Sequence, residues 1–588
     1  MAATGGGGHF VPPSAGGAAG AIFCLLLLSP PLRPVGAMGV RRGRAAPVLE
    51  GDVAAYFRRA LETLQEGLSP EELDLFATNV LAEAVAAGPG VALDPSGSRV
   101  LEALLPRAPA AVLSRVLSPL VGGLGGPAGH PLGARVLEAA LQRVPEVVGP
   151  PGDAMGRLED AVGRQAAAVR GEAVAFARHP NGSFVLRALL RALAGIQGAG
   201  PPHPPHRGAE PKPKGAEPAA KGMEPKPKGA ELPPSFPLLL GQLAEVFEEN
   251  LPSLVSPPCA SLCLQGALEA LRHSQSPACT RLCDALIGYL ALPGHAPGES
   301  PLVAALQDAQ RGRLVEAVLA AAGPQRLRDL FREHLQGHLV GVANHRLANH
   351  GLQRLLDHAP CDVVGAVLEE LGPALQQPLA RGHPGVLTAL TGACRRHPPL
   401  QPQALRRVLE AFDCWEPPER RQGCVGPLAA LRPWGGGDKE QGAGPEPTPG
   451  AVTLPGSLLL QHLLHFGDPG PVLGALAALP STALAALALS PPGSHVWDAL
   501  LASPSVPPRA RRRLLRKLKG HFLSLACHRN GSRVLDAILA SSSPRARAAI
   551  AAELAPQRPA LLRDPHGRGV ERRLRLLLRR PRQWRLED

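Results

Sequence analysis

Aromatic side chains are scarce in this chain of 588 residues: two Tyr, four Trp and 12 Phe amount to 3%. That scarcity argues against an aromatic-built pocket, a β-barrel or a β-sandwich. Cysteine is also sparse, with ten residues at irregular spacing, which excludes a disulfide framework and points to a reducing compartment. No apolar run approaches the roughly 18 residues of a membrane span. The longest, Ala21 to Leu28 (AIFCLLLL), has no Lys or Arg before it and no clean small-residue cleavage site after it. It reads as an extended or mis-started N-terminus, with Met38 as an alternative start, rather than as a signal peptide. Glycine shows no period of three, so the chain is not collagen-like.

Catalytic and metal-binding patterns are missing as well. There is no G-x-x-x-x-G-K-S/T phosphate cradle and no nucleophile elbow. Cys259, Cys263, Cys279 and Cys283 form two C-x3-C pairs, yet at helical spacing among Leu and Ala. There free cysteine behaves as a small hydrophobe, so a zinc site is not expected. His334, His338, His345 and His350 cluster without an acidic partner at metal-site or general-base spacing. Neither an enzyme, a metal nor a cofactor is expected.

What the sequence does contain is 45% hydrophobic residues, 66 Gly, 66 Pro and a formal charge of +13, with a pI near 9.7. The charge favours an anionic partner. One phrase recurs through the chain. It reads DPSGSRVLEALL at Asp94 to Leu105, HPLGARVLEAAL at His130 to Leu141 and HPNGSFVLRALL at His179 to Leu190. SPPGSHVWDALL at Ser490 to Leu501 and HRNGSRVLDAIL at His528 to Leu539 repeat it far downstream. Weaker copies begin at Pro257, Asp308, His345, Thr453 and Asp564, and a degenerate one lies at Gly382 to Leu390, for about eleven units. The spacing is near 36 residues wherever nothing is inserted, as from Gly97 to Gly133. A helical period in the thirties means an all-α solenoid, because one unit cannot bury its own apolar face.

Within a unit the D/H-P-x-G lead-in reads as a turn opening a helix, punctuated by Pro and Gly. Val100, Leu101, Leu104 and Leu105 then make a core stripe. Ser98, Arg99 and Glu102 fall on another face, so each unit is expected to present three side chains on an exposed strip, and stacking lines the strips into a ladder. Residues 1–50 read as a disordered extension with a basic cluster, 51–195 as units 1–3 and 236–432 as units 4–7. Units 8–11 span 454–578 and a basic tail covers 579–588. Between units lie two low-complexity linkers, 196–235 with EPKPKGAE twice, and 433–453.

The phrase G-S-R-V-L-[ED]-A-L resembles the Pumilio-type (PUF) repeat of RNA-binding proteins. GHPGVLTALTGACRR (Gly382 to Arg396) and GSLLLQHLLHF (Gly456 to Phe466) are similar in particular to the Pumilio-like factors of small-subunit ribosome biogenesis. The resemblance implies a C- or U-shaped α-solenoid in the nucleolus that binds pre-ribosomal RNA near the 18S 3′ region and restrains premature cleavage there. Proteins of the pre-ribosomal particle are implied as partners, with no membrane; the chain itself is expected to be a monomer.

A helical repeat can meet an unstacked base with two or three side chains. Ser98 and Glu102 with Arg99 suit guanine, whose donor edge a carboxylate can accept from. Asn349 and Gln353 with His350 suit uracil, and Ser183 and Arg187 with Phe184 are associated in the family with cytosine. Ser494, His495 and Asp498, and Ser532, Arg533 and Asp536, are readers without an assigned preference. Arg135 and Glu138, Ser261 and Gln265, Arg313 and Glu316, and Ser457 and Gln461 complete the candidates. The departures are Ala134, Leu262, Leu458, Gly312 and Gly569, while Arg568 and Arg572 look built for phosphate. They point to broad RNA affinity with a few specific contacts rather than one base per unit.

Two basic clusters add an electrostatic component. Arg509, Arg511, Arg512, Arg513, Arg516, Lys517 and Lys519 crowd one helix; Arg563, Arg568, Arg572, Arg573, Arg575, Arg579, Arg580, Arg582 and Arg585 mark the C-terminus. The second cluster, and Arg41, Arg42 and Arg44, also suit a nuclear address. The competing expectation is an armadillo/HEAT-like protein-binding scaffold without sequence-specific RNA contacts.

Overall fold

The computed structural model describes residues 49, 51–198, 232–291, 300–434 and 452–579, and these contain no β-strand. The predicted N-terminal extension, the bulk of both low-complexity stretches and residues 580–588 lie outside the described residues. Each repeat phrase forms a helix, and these ladder helices are numbered α1 to α11. They are Pro95–Leu104 (α1), Pro131–Val147 (α2), Gly182–Leu193 (α3), Pro258–His273 (α4), Arg311–Ala321 (α5) and Ala348–His358 (α6). Pro384–Arg396 (α7), Leu454–Leu464 (α8), Pro491–Ala502 (α9), Arg529–Ser541 (α10) and Pro565–Arg579 (α11) complete the row. Every ladder helix packs on the next, from α1 to α11. A short helix precedes each one, and a backing helix follows all but the last; in the tenth unit these are Phe522–Ala526 and Pro544–Leu554. The backing helices Ala110–Leu117, Asp153–Gly171, Ser235–Glu249 and Ala278–Leu290 pack successively in a second row.

Local chemistry explains the repeat phrase. Its first residue is the helix N-cap: Asp94 Oδ2 accepts from Ser96 N and Gly97 N at 2.9 and 2.8 Å. Histidine fills the same role, as His179 Nδ1 accepts from Asn181 N and Gly182 N at 3.2 and 3.0 Å. Thr453 and Ser490 cap α8 and α9 with hydroxyls. Each cap satisfies N–H groups that the first turn leaves orphaned. The glycine is not turn punctuation, as the sequence suggested. It lies inside the helix, where the preceding short helix comes too close for a side chain: a Cβ at Gly97 would stand 2.5 Å from Val91 O.

The core is one continuous cluster of Leu, Val and Ala from Phe57 to Leu574. The scarce phenylalanines are spent inside it, with Phe57, Phe176, Phe236, Phe247, Phe412 and Phe466 fully buried. The expectation that the low-complexity stretches separate whole units is corrected. The first falls within the third unit, between α3 and its backing helix Ser235–Glu249, which buries Leu240, Leu243, Ala244 and Phe247. The second falls within the eighth, after Val425–Ala430; beyond it, Thr453 N donates to Ala429 O at 2.9 Å. Because α3 packs on α4 and α7 on α8, the core runs past both.

Candidate nucleic-acid interface

The three ladder positions have different environments. The first is buried from α1 to α6 and from α8 to α10: Ser98, Ala134, Ser183, Ser261, Gly312, Asn349, Ser457, Ser494 and Ser532. In six of these units it follows a glycine at close approach, and in α4, α5 and α6 it follows Ala260, Arg311 and Ala348. Its hydroxyls bond back to the carbonyl three residues earlier: Ser98 to Pro95 O at 3.4 Å, Ser183 to Pro180 O at 3.2 Å, Ser494 to Pro491 O at 2.8 Å and Ser532 to Arg529 O at 3.0 Å. Ser457 instead reaches Pro492 O of the next unit at 2.5 Å. The expectation of three exposed side chains per unit therefore fails at this position.

The second position faces solvent. Arg99, Leu262, Arg313, His350, Leu458, His495 and Arg533 are exposed, and Arg135 and Phe184 are half-buried. Phe184 has Arg187 Cζ 4.6 Å from its ring centroid. This row supplies planar or extended faces on which bases can stack, and guanidinium planes serve as aromatics do.

The third position is half-buried at Glu102, Arg187, Gln265, Glu316, Gln353, Gln461, Asp498 and Asp536, and buried at Glu138. Its side chains are held in place by neighbours. Gln265, Gln353 and Gln461 donate to Ser261, Asn349 and Ser457 of their own units at 3.2, 2.8 and 3.0 Å. Glu316 and Asp498 face Arg313 and His495 at 3.1 and 3.4 Å. Glu102 pairs across units with Arg135 at 2.7 Å, and Asp536 with Arg573 at 3.5 Å. The solvent-accessible pair of Asp498 and His495 is worth about 0–1 kcal/mol, so it orients the carboxylate without locking it.

Two sites have further chemical consequences. Asn349 Nδ2 donates to His345 O and Arg346 O, and its Oδ1 accepts from Gln353, so the amide is occupied. Gln353 is left to offer a base one N–H and one carbonyl oxygen. Asp536 Oδ1 is buried without a hydrogen bond, and desolvation pushes its carboxyl above the usual range against the pull of Arg573. A donor edge would relieve that desolvation.

The seventh unit breaks the ladder. Its three positions hold Pro384, Gly385 and Thr388, and a Cβ at Gly385 would meet Gln353 Oε1 at 2.6 Å. In the eleventh unit Arg568 and Arg572 are exposed, while Arg575 is drawn onto Glu571 at 2.5 Å. Of the first basic cluster, Arg511 and Lys517 are structural. Arg511 donates to Ser503 O, and Lys517 to Ala477 O and Leu479 O at 2.6 and 2.7 Å. Arg579 lies at the end of α11, its side chain not described, and Arg41, Arg42, Arg44, Arg580, Arg582 and Arg585 are outside the described residues. Sequence reasoning missed Arg573 as the partner of Asp536, since the two meet only when α10 and α11 stack.

Cys259 and Cys263 lie within α4, and Cys279 and Cys283 within its backing helix Ala278–Leu290. Cys263 is buried, and desolvation pushes its thiol up to about 12. Among the described residues no group of three or more His, Cys, Asp or Glu could hold a metal, and no single helix is long and apolar enough to cross a membrane.

Comparison with known proteins agrees with this architecture. The family described as NOP9-like PUF repeat domain matches residues 149–569, and the Pumilio-family RNA binding repeat matches residues 90–118. The human protein Nucleolar protein 9 is 40% identical, over 92% of this chain and 88% of its own length. The mouse protein of that name is 39% identical, over 94% and 91%. The solved structure of APUM23-GGAAUUGACGG superposes with a TM-score of 0.68 at 22% identity, covering 90% of this chain and 97% of that one. At that identity the likeness concerns the fold.

Proposed function

The chain belongs to the NOP9-like PUF repeat family of RNA-binding, nucleolar proteins, and we propose that its ladder holds unpaired small-subunit precursor RNA and shields it from premature cleavage. The observation that carries this reading is the division of labour along α1 to α11. An exposed or half-buried row of Arg, His and Phe, interrupted by Leu262 and Leu458, offers stacking faces beside a row of Glu, Gln, Asp and Arg held ready by neighbours. An unpaired base needs both a face and an edge contact. Glu102 would read guanine beside Arg99 and Arg135, Gln353 uracil and Arg187 cytosine. Because the first position is buried, the third makes the edge contact, and Ser261, Asn349 and Ser457 hold it in their units. The gap at Pro384, Gly385 and Thr388 supports recognition by a few units rather than by all.

The test is binding of the full chain to single-stranded RNA, duplex RNA and single-stranded DNA across a salt series. Preference for RNA with unpaired bases, lost when Arg99, Glu102 and Arg135 are replaced together by alanine, is the expected result. Equal weak binding to all three that vanishes at moderate salt would overturn the reading and favour a protein-binding scaffold.

A further inference from the structure

Away from the ladder, a second concentration of cations lines a groove between the backing helices Pro508–Lys517 and Pro544–Leu554. Arg509, Arg512, Arg513 and Arg516 recur at i, i+3, i+4 and i+7, which places them on one helix face. Of these, Arg512 and Arg516 line the groove with Lys519, and Arg545 stands on the opposite wall. All six are exposed, and none forms an ion pair among the described residues, in contrast to the inward-turned Arg511 and Lys517. The groove's one carboxylate, Glu553, is already engaged, accepting from Gly520 N at 3.0 Å and Phe522 N at 3.2 Å.

The far wall begins at a helix N-terminus, where Ser543 Oγ accepts from Ala546 N at 3.4 Å. Beside it Ser542, only 7% exposed, lines the groove with a buried hydroxyl that has no hydrogen-bond partner. Free guanidiniums, a positive helix end and an unsatisfied hydroxyl together suit an anionic oxygen. The groove also opens away from the ladder. Leu514, the one buried residue of its first wall, packs with Val496, Trp497 and Leu500, the apolar stripe of α9 opposite His495 and Asp498.

We propose that this groove is a second RNA-binding surface, gripping the phosphate backbone of RNA that continues beyond the ladder; this rests on the RNA-binding reading above. A polyanion fits better than an acidic peptide, because a peptide needs apolar anchors seated in pockets. Here the large apolar side chains of the floor, Phe522 and Ile550, are 5% and 4% exposed and already packed. Leu515 is half-buried, and the long side chains exposed to solvent are Arg512, Arg516, Lys519 and Arg545. The guanidinium forks of the three arginines match phosphate oxygens in pairs.

The experiment uses the full chain with two RNAs: one of about eleven nucleotides, enough for the ladder at one base per unit, and one of about 40 carrying the same sequence beside a hairpin. The variant replaces four cations (Arg512→Gln, Arg516→Gln, Lys519→Gln and Arg545→Gln). For the long RNA the slope of log affinity against log salt is expected to fall by about 3, from four phosphates at ~0.7 each. The short RNA should bind as before. A photo-crosslinking amino acid at position 512 should mark the hairpin flank. An unchanged slope and affinity for the long RNA would overturn the proposal, as would a crosslink that polyglutamate displaces and the long RNA does not. If the unmodified chain binds neither RNA, the RNA-binding reading itself fails.

Discussion

Replacing Gly531 with alanine sets two effects of opposite sign against each other. Alanine favours a helix over glycine by about 0.8–1 kcal/mol, so a helical Gly→Ala change in open space stabilises. At Gly531, however, the new Cβ would stand 2.6 Å from Leu525 O and 2.9 Å from Leu525 Cα and Leu489 Cδ2. Two of those three atoms belong to the backbone of Phe522–Ala526 and cannot swing aside. Relaxing the closest contact from 2.6 to 3.4 Å requires α10 to move by about 0.8 Å. Overpacking of this kind costs about 1–3 kcal/mol, which offsets the propensity gain and leaves a net loss of up to about 2 kcal/mol. Gly163, with nothing within 4 Å of its would-be Cβ, is the control. Stacked repeats open locally, so the assay is amide hydrogen exchange in peptides covering residues 522–541 and 153–171. Gly531→Ala should speed exchange by up to about 30-fold in the first, whereas Gly163→Ala slows it in the second. Ser532, Arg533 and Asp536 follow Gly531 on α10, so affinity for RNA should fall as well. If both substitutions slow exchange alike, close approach is not the reason for the repeat glycine.

Phe184→Ala removes a stacking face and should cost about 1–3 kcal/mol of RNA affinity by anisotropy titration, with an unchanged salt slope because no phosphate contact is lost. Burial, with Arg395, His465 and Arg396 nearby, pushes His462 down to about 4 from the ordinary 6.5. Between those values the unfolded chain binds more protons than the folded one, so stability falls as pH drops from 6.5 to 4, and urea midpoints of His462→Gln should vary less over that window. Replacing residues 199–231 with a short Gly/Ser linker should leave the thermal midpoint and RNA affinity unchanged. The third and fourth units already pack through α3 and α4, with Arg191 and Glu269 2.9 Å apart.

The repeat frame could be read from the sequence because each unit uses the same local devices. An N-cap, a proline at the helix start, a glycine and a four-residue apolar stripe all leave marks within about a dozen residues. The ladder positions followed from helical spacing, and their order along the chain survives in the structure. Their exposure did not follow, because it depends on contacts across units. Ser98 looks like a surface serine until the preceding short helix closes over it, and Arg135 looks unattached until α2 packs on α1 and brings Glu102 within 2.7 Å. Likewise, nothing in the run from Arg509 to Lys519 separates Arg511 and Lys517, which turn to carbonyls from Ala477 to Ser503, from the cations that stay free.

The sequence by itself determined that this chain is an all-α array of stacked units with polar side chains at fixed helical positions and an excess of positive charge. Those properties arise from residues close together in the chain, where helix periodicity and capping act. Only the tertiary structure decided which polar atoms remain available. It buried the first ladder position, joined the third to its neighbours, set Gln353 against Gly385 of the seventh unit and gathered Arg512, Arg516, Lys519 and Arg545 around one groove. Each of those outcomes depends on which surface of one unit meets the next, and the packing of successive helices sets that choice.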